Sequence, residues 1–288
     1  MGIMRWGQAR LVSQGSNSLV RFRNAADLAT NLIMRVPNGI EVKRDTIGSI
    51  PGDWLIPDGV SDKTVILFLH GGSAAFPWGN PHRRMVAYLS KFADLQVFGV
   101  DYRLAPEHIY PAAHDDCYAV YKALIQQGKQ VVLVGESSGG LLALAILLRA
   151  RAAGLSQPKL CCLISPLVDS DLKDRRLWLQ RDVFAHPMFV IKLTNQYIAG
   201  NHTKLPDLGP IHADLSGLAP LYILVGEREI LRSDADLLMN AVQKYDLEID
   251  LVVWPDVWHA WHILVPQLPE ATKALKVLGE RIKRCYGD

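Results

Sequence analysis

Residues 131–148 read Val-Val-Leu-Val-Gly-Glu-Ser-Ser-Gly-Gly-Leu-Leu-Ala-Leu-Ala-Ile-Leu-Leu. Val131 to Val134 make a strand-length apolar run, small residues make a turn, and Leu141 to Leu148 continue as an apolar helix. A serine on so tight a strand–turn–helix corner is forced into a strained backbone. Gly135 and Gly139 at its flanks relieve the crowding, so the Ser137 hydroxyl stands free above the sheet. The amino end of the following helix favours negative charge developing there. Gly135-Glu136-Ser137-Ser138-Gly139 alone is a weak signal, because a glycine-rich turn that merely caps a helix has the same letters. Its weight comes from its surroundings.

Moving outward, short apolar runs alternate with helix-length segments. Val65–Leu69, Val97–Val100, Leu160–Ile164, Leu221–Val225 and Ile249–Val253 join Val131–Val134 as strands buried on both faces. Helices are predicted over Arg83–Phe92, Asp115–Gln127, Ser138–Ala153, Ser233–Tyr245 and Pro269–Lys283. This alternation predicts an α/β fold: a mostly parallel central sheet flanked by helices, one domain over residues 1–288. Two stretches interrupt it. Residues 1 to about 40 hold a short helical pattern around Ala25 to Met34. Residues 171–206 carry Trp178, Phe184, Met188, Phe189 and Tyr197. An insertion after a strand's carboxyl end overhangs the ligand face of such a sheet. Both stretches are therefore read as a helical cap, with surface packing or an oligomer contact as the plainer alternative.

Composition narrows the class. The chain has 288 residues, 49% of them apolar, and a formal net charge of +2. That is a packed globular chain, and so small a charge offers no pull on a phosphate backbone, so no nucleic-acid partner is expected. Cys117, Cys161, Cys162 and Cys285 show neither a disulfide framework nor metal-ligand spacing, which fits a reducing, cytoplasmic location and no metal. The longest apolar run, Leu141–Leu148, is far short of a bilayer span, and no stable membrane insertion is expected. The amino-terminal residues lack a secretory h-region, and Trp6 stands where myristoylation wants Ser or Thr. Arg5, Arg10, Arg21 and Arg23 with Trp6, Leu11 and Phe22 could make a basic amphipathic arm, but Gly15-Ser16-Asn17-Ser18 breaks it.

Three further pieces complete a site. His70-Gly71-Gly72-Ser73 follows the Val65–Leu69 strand. Acyl transfer passes through an oxyanion that needs preorganised N–H donors, and glycines let backbone amides approach it. Gly71, Gly72 and the Ser138 amide are the candidate oxyanion hole. His70 precedes the serine and reads as a structural histidine. His259 follows the final strand and is the candidate base; His262 is read as a helix first-turn residue packing against the cap. The orienting carboxylate should follow a strand between serine and histidine. Glu227, Glu229 and Asp234 after Leu221–Val225 are candidates, with Asp256 on the histidine's own loop. Serine, acid, histidine is the chain order of the α/β-hydrolases.

Taken together, these residues resemble the hormone-sensitive-lipase-like esterases (bacterial family IV) within the α/β-hydrolases. His70-Gly71-Gly72-Ser73 resembles their H-G-G-G loop. Asp101-Tyr102-Arg103-Leu104-Ala105-Pro106-Glu107-His108 and Tyr110-Pro111-Ala112-Ala113 match D-Y-R-L-A-P-E-x and Y/F-P-A-A. Gly135 to Gly140 is similar to G-D-S-A-G-G, Asn80 to Arg84 to the opening of the first helix, and Gly226 to Arg232 to G-x-x-D-P-L-R. The likeness runs from about residue 40 to the carboxyl end. It departs at Ser73 for the third glycine, at Glu136 and Ser138 for aspartate and alanine, and at Glu229, one methylene longer than the usual aspartate.

The resemblance implies a serine carboxylic-ester hydrolase of carboxylesterase type. It would act on small short-acyl esters through Ser137, Glu229 and His259, with no cofactor and with a homodimer as an analogy from relatives. Phe76, Trp78, Phe184, Phe189, Trp258 and Trp261 are candidates to line the substrate pocket, although core packing explains any single aromatic as well. Asp101, Arg103 and Glu107 are read as a buried ion-pair network behind the serine corner. Competing readings are a serine hydrolase of lactones, carbamates or N-acyl amides, and a non-catalytic ligand-binding protein like the plant hormone receptors that lack a working triad. The presence of His259 argues against the second.

Overall fold

In a parallel sheet the carboxyl ends of successive strands come to one edge, and that edge is where this chain assembles its site. The computed structural model describes residues 34–172 and 182–286, preceded by residues 19–21, 23, 25 and 30. Eight strands form one sheet: β1 (Ile40–Ile47), β2 (Ile50–Pro57), β3 (Thr64–Leu69), β4 (Gln96–Val100), β5 (Gln130–Glu136), β6 (Leu160–Ile164), β7 (Leu221–Gly226) and β8 (Ile249–Trp254). Their spatial order is β1-β2-β4-β3-β5-β6-β7-β8. From β4 to β8 all pairings are parallel; β1 and β2 form an antiparallel hairpin added to β4. This is the α/β-hydrolase fold.

The helices are α1 (Asn80–Ala93), α2 (Ala112–Gln126), α3 (Ser138–Ala152), α4 (Pro187–Ile198), α5 (Arg232–Val242) and α6 (Pro269–Arg284). Alternate strand residues face opposite layers, as period-2 geometry requires. Val65, Leu67 and Leu69 pack with α2, α3 and α5. Ile66 and Phe68 pack with α1 and α6. β3 to β7 are buried along nearly their whole length because both faces are covered. α3 runs beneath the nucleophile corner and is buried from Ser138 to Leu148, so its apolar residues go all the way round rather than forming a stripe.

The structure departs from expectation at the edges. The β1–β2 hairpin carries no apolar run: Glu41 to Thr46 are exposed, and β2 contains Pro51 and Gly52. It is held by backbone pairing and by Leu55 against the core. β8 is not buried on both faces but closes the sheet at its other edge, with Val253 39% exposed. α4 falls inside the 171–206 stretch. In the amino-terminal stretch, Leu19 is buried against Ala75, Phe189 and Leu193. Trp178, and the arm with Arg5, Trp6, Arg10, Leu11, Gly15–Ser18 and Phe22, lie outside the described residues, as does most of the Ala25–Met34 helical pattern. Among the described residues, no helix is long and apolar enough to cross a membrane.

Candidate active site

Ser137 sits between β5 and α3 with φ 54° and ψ −120°, a region a non-glycine residue adopts only under strain. Its surroundings hold it there. Its amide donates to the Ile164 carbonyl at 2.9 Å, and its own carbonyl accepts from the Gly140 and Leu167 amides, each at 2.9 Å. A Cβ on Gly139 would lie 2.0 Å from the Leu69 carbonyl oxygen. The corner therefore closes only with glycine at that position.

His259 arrives on the loop after β8. Its Nε2 accepts from the Ser137 hydroxyl at 2.9 Å, across 122 residues of chain. Both side chains are buried. The parallel register explains the meeting: Leu69 pairs with Gly135, Glu136 with Ile164, and Gly226 with Trp254. The loops after β3, β5, β7 and β8 therefore open on one edge.

The third expected link is not made in this structure. Glu229 is fully buried on the loop after β7, but its Oε2 accepts from the Ser165 hydroxyl at 2.7 Å and the Gly226 amide at 3.0 Å, not from His259. Glu229 Oε1 and His259 Nδ1 are both buried and have no hydrogen-bond partner. Burial pushes the Glu229 carboxyl well above the usual range, and negative charge on Asp182 and Glu136 adds to this against the two donated hydrogen bonds. The other candidate acids are committed elsewhere. Glu227 accepts from the Asp256 amide, Asp256 pairs with Arg228 in solvent, and Asp234 accepts from the Val168 amide.

The His70–Ser73 loop lies against the corner. A Cβ on Gly71 would stand 2.7 Å from Ser137 Cβ and 2.0 Å from Glu136 Oε2, and Gly72 has φ 103°. Ser138 opens α3. Gly71 thus lies against the serine and Ser138 follows it directly, whereas a Cβ on Gly72 would meet Phe76. His70 is fully buried under its loop, stacked on Tyr102 with ring centroids 4.0 Å apart, and its Nδ1–H donates to the Gly71 carbonyl at 2.8 Å. Burial, then positive charge on His82, hold His70 far down and so neutral.

Several expectations need correction. Asp101, Arg103 and Glu107 do not form one buried network; Arg44–Asp101, Arg103–Asp116 and Arg23–Glu107 are separate, partly exposed pairs, because each of the three side chains leaves the corner toward solvent. His262 lies in a 3-10 turn, Trp261–Leu264, that packs on α1 and α6 rather than under the cap. The aromatic set splits. Phe76 and Phe189 meet edge to face at 6.0 Å, and Phe184 packs by Leu141 and Leu167. Trp78, Trp258 and Trp261 instead join the core on the α1–α6 face. Trp78 is 3% exposed, and its indole N–H donates to Asp53 at 2.7 Å, leaving it no free face for a ligand.

A small pocket borders the corner through Ser138, with neither Ser137 nor His259 in its lining. Its lining includes Ser73, Ser138, Leu141, Leu167, Thr194 and Ile198, and none of the predicted aromatics. Asp182 was also missed. It is 2% exposed and accepts from four backbone amides, including that of His259. The local signal available was an aspartate two and three residues ahead of the amides it turns back on, just before a helix. Nothing in the sequence signalled the link to His259.

Residues 66–263 match a family model described as alpha/beta hydrolase fold. The chain belongs to this family. An acetyl-hydrolase of Streptomyces hygroscopicus is 34% identical over 248 residues, 84% of this chain and 83% of that one. A crystal structure of an esterase/lipase from an uncultured bacterium superposes with a TM-score of 0.86 at 32% identity, covering 94% of this chain and 92% of the other. An esterase from the bacterial hormone-sensitive lipase family does so at 0.88 and 30%, covering 96% and 95%. This α/β-hydrolase stands with the hormone-sensitive-lipase-like esterases, and it is a hydrolase of the carboxylesterase type.

Proposed function

We propose that this α/β-hydrolase cleaves small, short-acyl carboxylic esters through Ser137, His259 and Glu229 and a covalent acyl-enzyme. The observation that carries the reading is the 2.9 Å contact of Ser137 Oγ with His259 Nε2 at a strained corner. His259 takes the hydroxyl proton as Ser137 Oγ bonds to the ester carbonyl carbon. The Gly71, Gly72 and Ser138 amides receive the oxyanion, each donor worth about 2.7–4 kcal/mol in relatives of this chemistry. Collapse breaks the ester C–O bond, and the imidazolium returns its proton to the leaving alcohol. Water then attacks the acyl-enzyme by the same route, releasing acid and free Ser137. No step draws on a metal or cofactor.

Glu229 is assigned the orienting role because its open Oε1 and the open Nδ1–H of His259 are complementary and both buried. Closing that bond offsets two unsatisfied groups at once and stabilises the imidazolium. The short-acyl preference draws support from the acetyl-hydrolase name of the relative from Streptomyces. The described parts of residues 1–40 and 171–206 are taken as cap elements over a single domain, since Leu19 and the α4 residues Phe189 and Leu193 pack together on Ala75, just after the His70–Ser73 loop. The test is Ser137→Ala with p-nitrophenyl esters of increasing acyl length. Turnover should fall by orders of magnitude, and the wild type should favour acetate and propionate. Full turnover in Ser137→Ala would sink the assignment, and a far greater rate on lactones or amides would replace its substrate class.

A further inference from the structure

We propose that Asp182 is the positioning residue that holds His259 against Ser137; this rests on the reading of Ser137 and His259 just given. Asp182 Oδ1 accepts from the Phe184 amide at 2.8 Å and the Ala185 amide at 2.9 Å. Its Oδ2 accepts from the Ile230 amide at 2.9 Å and the His259 amide at 3.0 Å. One carboxylate, 2% exposed, thus binds the segment leading into α4, the residue after Glu229, and His259 itself. Because one oxygen serves both Ile230 and His259, the loops after β7 and β8 are clasped together at that atom.

A carboxylate has about four lone-pair sites, and four N–H donors fill them. Asp182 is therefore fully committed to backbone and is not the carboxylate that meets the His259 ring. Its grip still matters to chemistry. The loop carrying His259 lies between β8 and the 3-10 turn, and Asp256 and Ala260 in it take positive φ. Charge-assisted bonds from a buried anion are the strong kind. They fix the Cα from which the imidazole reaches Ser137.

The experiment uses the full chain with Asp182→Asn, Asp182→Ser and Ser137→Ala, with kcat and KM measured separately on p-nitrophenyl acetate. Asn keeps one acceptor oxygen but turns an NH2 toward two N–H groups. Ser can cap the local turn but is too short to reach His259. In folded Asp182→Asn, kcat should fall roughly 10- to 100-fold with KM little changed. Wild-type kcat overturns the proposal. So does a fall in kcat matched by an equal or larger rise in KM, which is what general loosening gives. If neither variant folds, amide exchange in the wild-type chain decides: slow exchange at Ile230 and His259 supports the clasp, and exchange at open-loop rates overturns it. Full turnover in Ser137→Ala would instead overturn the reading of the site. An inactive Ser137→Ala beside a wild-type-like Asp182→Asn overturns this inference alone.

Discussion

Replacing Gly71 with alanine puts a methyl group where the oxyanion loop meets the nucleophile. The new Cβ would stand 2.0 Å from Glu136 Oε2, 2.7 Å from Ser137 Cβ and 2.9 Å from Glu136 Cδ. Carbon atoms settle at about 3.5–4.0 Å, so one partner must give way by about 1 Å. Ser137 is tied by three backbone hydrogen bonds, and Glu136 is 2% exposed within 3.7 Å of His82. The His70–Ser73 loop is the freer side, and its amides move. A displacement of that size costs about 10²-fold in rate, and loss of one oxyanion donor costs about 2.7–4 kcal/mol. The expected fall in kcat is therefore about 10²- to 10³-fold. KM should change less, because the oxyanion exists only in the transition state and intermediate. Overpacking should also cost about 1–3 kcal/mol of stability. Steady-state kinetics on p-nitrophenyl acetate, with urea melts of the same samples, measure both. Turnover within about threefold of wild type in a folded Gly71→Ala would show that the Gly71 backbone takes no part in holding the oxyanion.

Two other substitutions probe buried titratable groups. Glu229→Gln should lower kcat by about 10²- to 10⁴-fold while raising the thermal midpoint at pH 7, because burial disfavours the ionised carboxylate that Gln replaces; unchanged kcat would show that Glu229 does not orient His259. Burial holds His114 down at about 4, with Nδ1 against the Tyr197 hydroxyl at 2.7 Å and Nε2 against the Asp207 carbonyl at 3.0 Å. The unfolded chain takes up that proton first, at about 6.5. Stability is thus full above about pH 6.5 and is lost as pH falls toward 4, by up to about 3 kcal/mol. His114→Gln should flatten this slope in urea midpoints taken at pH 7 and pH 5, and an unaltered slope would contradict the burial account.

The serine corner was legible because its physics is local. Val131–Val134, the small residues and Leu141–Leu148 are contiguous, and strand, turn and helix follow from neighbours along the chain. The β1–β2 hairpin was not, since an exposed edge strand is selected by the backbone groups of its partner rather than by its own side chains. Trp78 shows a related limit. An aromatic near a glycine loop can face a ligand or the core, and only the presence of Asp53 beside its indole decided for the core.

Taken alone, the order of residues determined the strands from β3 to β8 and the helices between them to within a few residues, that the sheet is mostly parallel, and that Ser137 occupies a turn that only flanking glycines permit. Each follows from periodicity and sterics over a few residues. Tertiary structure alone decided that His259 reaches Ser137, that Glu229 turns to Ser165 and Gly226, and that Asp182 clasps the histidine loop. Those contacts join segments tens to more than a hundred residues apart. A hydrogen bond depends on tenths of an ångström, and such distances exist only once the sheet has brought its loops to one edge.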